Sequence, residues 1–244
     1  LNGTLAEISN NAERKATDIT INEAVILREA FIGSLNPSFG PVMGNWSAWT
    51  DGKIEIGKSD ASTTASKKTV YVQTITLGFD KPIGTDELIG FAYSIGQDDV
   101  NIGTDSTNVK SKNFSLSNYT VFKPSGDAII ESVFGLGSLN FDTTRTDGSD
   151  TLTGTREASQ LFFSSIVRPQ NNINLGSWQL SPYSKISLAN TRLHNFSESG
   201  ALTALTFNKQ EIRDTSMGIG IDINAQIIKN TRTIKPFAKL EYAR

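Results

Sequence analysis

The sequence predicts an all-β fold: an antiparallel up-and-down barrel set in a bilayer, preceded by one N-terminal α-helix. Three observations carry this. From residue 40 onward the helical period is gone, and stretch after stretch alternates with a period of two, the repeat of a β-strand. In the clearest of them, residues 87–101, Ile89, Phe91, Tyr93 and Ile95 alternate with Gly90, Ala92, Ser94 and Gly96. An ordinary solvent face would be charged; this second face is tiny, which fits the inside of a closed wall whose outside meets lipid. Finally, the links between stretches alternate long and short, as the outer loops and inner turns of a membrane barrel do.

In chain order, a helix is predicted over residues 18–35. Thr20 and Glu23 have capping-box spacing, and Ile21, Val25, Arg28, Ile32 and Leu35 fall close to one stripe. Pro37 and Gly40 stop it. The residues alone admit a packing helix at the domain edge or a linker helix threaded into a pore. This divides the chain into a linker with helix, 1–40, and a barrel domain, 41–244, incomplete at its C-terminus.

About nine strands are then expected. The first, 45–57, opens with Trp46 and Trp49. In 69–79, Tyr71, Ile75, Leu77 and Phe79 share a face opposite Thr74, Thr76 and Gly78. Residues 87–101 come third, followed by 112–122, 128–143, 157–168 and 178–192. In 215–227, Met217, Ile219, Ile221 and Ile223 alternate with Gly218, Gly220, Asp222 and Asn224. In 231–242, Pro236, Ala238, Leu240 and Tyr242 alternate with Phe237, Lys239 and Glu241. A Lys and a Glu on the hidden face suit a wet lumen and would be costly in a dry sandwich core.

Long links are expected at 58–68, 97–111, 145–156 and 194–214, and shorter ones at 80–86, 123–127, 169–177 and around Lys229 and Asn230. Trp46, Phe79, Trp178 and Tyr183 stand near strand ends on the short-turn side, where membrane barrels carry aromatic girdles. Ordinary strand-end packing explains them equally well.

The totals narrow the function. The 244 residues hold no cysteine, which excludes a disulfide framework and Cys-based zinc sites. A net charge of −2 gives no electrostatic case for nucleic acid. A mean hydropathy of −0.24 is compatible with a barrel, in which only alternate residues face lipid. No run approaches the length of a membrane helix, and the lack of a leader at Leu1 reads as a chain cut from a longer precursor.

The segment 180–200, LSPYSKISLANTRLHNFSESG, resembles a strand of the autotransporter (type V secretion) translocator domain: a Pro-Tyr pair before an alternating run with Arg, then an aromatic and Glu-x-Gly. Residues 77–97 resemble that family's second hairpin, and 233–244 a later strand with its own proline. The resemblance covers roughly 40–244 and rests on the order of these motifs. It implies a 12-stranded barrel in the Gram-negative outer membrane, a helix in the lumen and an exported passenger upstream. Against that pattern about three strands and the C-terminal aromatic read by barrel-assembly machinery are missing. An Asn10–Asn11 pair is present, but the surroundings of the site at which some relatives cut themselves are not.

On this reading the function is a pore that anchors and exports a passenger. The partners are outer-membrane lipid, the chain's own passenger and linker helix, and the assembly machinery, with the barrel a monomer. Lys185, Asp222, Lys239 and Glu241 would line the lumen and hold the helix. No catalytic, cofactor or metal residues are expected. The runner-up is a secreted β-sandwich or adhesin module. A third reading is an outer-membrane hydrolase built on the single histidine, His194, with Ser197 or Ser199 and Glu198 or Asp214. No G-x-S-x-G, P-loop or HExxH is present. DGSDTLTG, 147–154, resembles half of a calcium nonapeptide, but such sites need stacked copies, so a polar loop is expected.

Overall fold

The computed structural model describes residues 41–43, 45–61, 66–84, 86–103, 107–124, 127–147, 149–229 and 232–244. The helix expected over 18–35 lies outside them. The strands are β1 (Pro41–Met43), β2 (Trp46–Ser59), β3 (Lys68–Ile83), β4 (Glu87–Ile102), β5 (Thr107–Phe122), β6 (Ala128–Asp147), β7 (Asp150–Pro169), β8 (Ile173–Leu175), β9 (Trp178–Leu193), β10 (Phe196–Ser197), β11 (Thr206–Phe207), β12 (Gln210–Ala225), β13 (Ile227–Lys229), β14 (Arg232–Ile234) and β15 (Phe237–Ala243). The main sheet runs β1-β2-β3-β4-β5-β6-β7-β9-β12-β15, with β8 also paired to β9. Neighbours in this order are antiparallel and the long strands follow one another in sequence, so the topology is an up-and-down meander. Nine of these strands answer to the ones the alternation predicts, but the ninth, expected over 231–242, joins the sheet only from Phe237: Arg232–Ile234 pair instead with Ile227–Lys229 in a separate hairpin, so the link expected to be a short turn around Lys229 and Asn230 runs over 226–236.

The outward face is apolar and open. Ile75, Leu77 and Phe79 on β3, Phe91, Tyr93 and Ile95 on β4, and Met217 and Ile219 on β12 are all exposed. No second sheet covers them among the described residues, so the sandwich alternative finds no support. The inward face is built from small hydroxyls, such as Thr76, Ser94, Ser115, Ser117, Ser164 and Ser187, all buried. They bond across strands: Thr76 to Ser94 at 2.8 Å and Ser164 to Ser187 at 2.9 Å.

Strand pairing also gives the tilt. The outward row that starts at Leu77 runs through Tyr93, Leu116, Leu136, Leu161 and Asn190 to Arg213. It begins in the middle of the apolar band on β3 and ends above that band on β12, whose apolar residues are Met217 to Ile223. A drop of about seven residues at ~3.3 Å over about six strand spacings of ~4.8 Å needs strands inclined by about 40° to keep the band level, the usual inclination of a barrel.

Four inward aromatics lie over a glycine directly opposite on the next strand: Trp49 over Gly78, Tyr119 over Gly90, Phe162 over Gly135 and Tyr183 over Gly220. A Cβ at Gly90 would sit 2.1 Å from the Tyr119 ring. With no side chains beneath them, the rings lie flat, and Trp49 on β2 reaches Tyr119 on β5 across two intervening strands, at 2.7 Å from Nε1 to the phenol oxygen. On a flat sheet those strands would stand about 14 Å apart; the contact reports strong inward curvature. Gly90→Val is expected to cost about 1–3 kcal/mol through overpacking. Gly52→Val, where a Cβ would meet nothing closer than 4.0 Å, should be neutral by comparison. The temperature at which each folded barrel loses its compact gel mobility measures the difference.

Three expectations are corrected. Residues 97–111 and 145–156 are not long links. β4 and β5 are joined by 103–106 alone, and β6 and β7 by 148–149. Their polar residues continue the period of two above the lipid band, so DGSDTLTG is mostly strand. Likewise β12 starts at Gln210, inside the expected link 194–214. Lastly, Tyr183 is not a girdle residue: it is 4% exposed and points inward over Gly220. Trp46, Phe79 and Trp178 do alternate outward, with Trp46 beside Phe91 and under the Lys81 ammonium.

Candidate functional site in the lumen

The inward face of β7, β9, β12 and β15 concentrates charge. Strand parity turns Arg168, Tyr183, Lys185, Asp222, Lys239 and Glu241 to one side, and the registers Asp222↔Lys239 and Gly218↔Lys185 bring the strands level. Arg168 bridges Glu131 on β6 at 2.9 Å and Asp222 on β12 at 3.5 Å. Glu241 accepts a hydrogen bond from the Tyr183 hydroxyl at 2.5 Å and pairs with Lys239 at 3.0 Å. The Lys239 ammonium and the Arg168 guanidinium both lie over the Tyr183 ring, at 5.2 and 6.0 Å. Tyr183 thus joins the two ion pairs into one network.

The four lumen residues chosen from sequence, Lys185, Asp222, Lys239 and Glu241, all face this side. Lys185 and Asp222 are buried, while Lys239 and Glu241 are partly open. Reasoning from sequence missed Glu131, Arg168 and Tyr183. Parity along 157–168 would have turned Arg168 inward; its partners needed the register.

A second polar group lies nearer β3. The Tyr119 hydroxyl accepts from Trp49 and donates to Asp80 at 2.8 Å, satisfying a carboxylate that is 2% exposed. On the outer half of the same face Val100, Ile102, Val109, Leu139, Phe141, Ala158 and Leu193 form an apolar cluster. The polar contacts tie non-adjacent strands together on the inner side.

Above the lipid band the link after β9 folds back onto β6 and β7. Glu198 takes two hydrogen bonds from Arg145, at 2.9 and 2.8 Å, with both side chains 4% exposed. Phe196 and Phe207 stack at 4.6 Å, Arg156 lies over Phe196, and Ser199 exchanges both backbone hydrogen bonds with Thr153. Gly200 takes φ +118° where a Cβ would meet the Thr151 carbonyl oxygen at 2.2 Å, so glycine is required. Most of the residues that the hydrolase reading names are engaged with other partners. Glu198 is committed to Arg145, Ser197 to Thr206 and Ser199 to Thr153, and His194 faces Glu157 at 3.8 Å. No group of three or more metal-ligating side chains occurs among the described residues.

The profile of the Autotransporter beta-domain family matches residues 48–244. The chain belongs to this family. The β-domain superposes on the translocator domain of autotransporter NalP from Neisseria meningitidis with a TM-score of 0.68 and 11% identity, covering 93% of this chain and 78% of that one. On the beta domain of the Bordetella autotransporter BrkA the TM-score is 0.60 with 17% identity, covering 81% and 78%. At such identities the likeness speaks for the fold. No curated protein matches the sequence. The β-domain is an outer-membrane translocator of a Gram-negative bacterium, with a passenger attached.

Proposed function

We propose that the lumen of this β-domain holds the linker segment 18–35 against the charged wall of β7, β9, β12 and β15, and that the passenger leaves through the same lumen. The observation that carries this is the network of Arg168, Glu131, Asp222, Tyr183, Lys239 and Glu241, built on strands whose opposite face is apolar. Such a network is inexpensive in a hydrated pore and gives a threaded helix fixed charges to pair with. Lys185 and Lys239 can meet carboxylates of the segment such as Glu23, and Asp222 and Glu241 can meet Arg28. The domain acts as a monomeric pore delivered by barrel-assembly machinery, with no catalytic role of its own.

Single-channel recording of the full-length protein in planar bilayers tests this reading. Deleting 1–40 is expected to raise conductance severalfold, and Asp222→Ala with Glu241→Gln to make the intact pore flicker between the two levels. Equal, steady conductance in all three would remove the lumen segment.

A further inference from the structure

At the rim formed by the 176–177 turn, which the translocator reading puts in the periplasm, three carboxamides stand in one lateral row. Asn174 on β8 is opposite Gln179 on β9, which is opposite Asn224 on β12; the next residue in the row is Phe237 on β15, 83% exposed. Strand parity places Gln179, Asn224 and Phe237 on the lumen side, in line with Tyr183 and Lys239. The three carboxamides line a notch of about 300 Å³ together with Gln226 and Lys235. Its floor is shaped by the two-residue turn at Gly176 and Ser177, where Gly176 takes φ +63° at the first turn position, as a tight hairpin requires.

Each carboxamide carries an acceptor oxygen and two donor hydrogens, so it can accept from the N–H and donate to the C=O of a peptide group. A row of them binds backbone rather than side chain, and so without regard to sequence. Two strand spacings separate Asn174 from Asn224, about 10 Å, which spans about three residues of extended chain. The exposed Phe237 ring adds an apolar contact at the end of the row. Immediately inside lie the ion pairs of Asp222, Lys239 and Glu241, which would select among side chains; the rim would not.

We infer that this notch is the entry cradle for the passenger: a sequence-independent site for an extended polypeptide arriving from the periplasm. The inference rests on the translocator reading and adds to it a place and a chemistry of first contact.

The test uses the full-length protein in cells. A photo-crosslinking side chain at Gln179 is expected to capture the passenger during transit and to lose it once display at the surface is complete; the same group at lipid-facing Ile219 should not. The triple variant Asn174→Ala, Gln179→Ala, Asn224→Ala should slow the appearance of passenger at the surface about three- to tenfold, the scale of one or two lost hydrogen bonds. The amount of folded, heat-modifiable barrel should not change. Exchanging Asn and Gln at the same positions, which keeps the carboxamides, should restore the rate. No crosslink from residue 179, capture of a glycan in place of the passenger, or wild-type transit in the triple variant would overturn the cradle. A wild-type protein that never displays its passenger would instead overturn the translocator reading.

Discussion

Glu198→Ala is expected to loosen the middle of the 194–209 segment from the barrel while leaving the barrel folded. Arg145 is 3% exposed, and removing its partner strands a buried guanidinium at a cost of about 3–5 kcal/mol. Other contacts hold the two ends of the segment: His194 donates its N–H to the Glu157 carbonyl, and Arg156 donates to the carbonyls of His194 and Asn208 and lies over Phe196. The Phe196–Phe207 stack lies within the segment and does not anchor it. Around Glu198 the remaining ties are the two backbone hydrogen bonds to Thr153 and one from Arg145 to the Thr203 carbonyl, each worth about 0.5–1.5 kcal/mol. Their sum is close to the penalty, so the middle of the segment gives way and Arg145 regains water. Limited proteolysis of intact cells reads this directly: cleavage should appear within 194–209, with gel mobility of the folded barrel retained. Glu198→Gln keeps hydrogen-bond acceptance and should fall between. A segment in Glu198→Ala as resistant as in the wild type would show that the ion pair does not hold it.

Ile219→Arg is expected to cost about 2–4 kcal/mol, the penalty for a charge near the bilayer midplane on the lipid face of a barrel strand. Ile221→Arg should behave alike. Ile219 is 64% exposed on a face with no protein cover, so in water the change would be close to neutral. The sign of the result therefore depends on lipid. Heat-resistant mobility should be lost at a lower temperature in both variants. The polar row above the band supplies the control: Thr215→Arg, two residues beyond Met217 toward Arg213, should cost less than about 1 kcal/mol, because the penalty fades toward the interface. Equal mobility in all four proteins would mean that these isoleucines do not face acyl chains.

The strands were legible because a lipid-facing wall imposes a strict period of two, and residues 89–96, 217–223 and 238–242 obey it without exception. Their ends were not. Asp98, Asp99 and Lys110 read as loop because they are charged, yet all three sit in paired strand. The charge marks where acyl chains stop; the hydrogen-bond ladder continues into the headgroups and beyond. Tyr183 misled for a related reason. Its place near a strand end suggested a girdle, but its face is decided by Gly220, thirty-seven residues later, which leaves room for the ring. The four lumen residues could be chosen because each breaks an otherwise small or apolar alternation. Arg168, Glu131 and the Arg145–Glu198 pair could not, since each acquires its meaning from a residue on another strand.

The inclination of the strands has one more consequence. On the inner surface, the row from Thr76 through Ser94, Ser115, Gly137 and Gln160 to Thr191 climbs as it goes round. Its members are rungs of a spiral, like rifling in a gun bore. A polymer that keeps touching one such row cannot advance without rotating, so export along this wall would couple progress to twist.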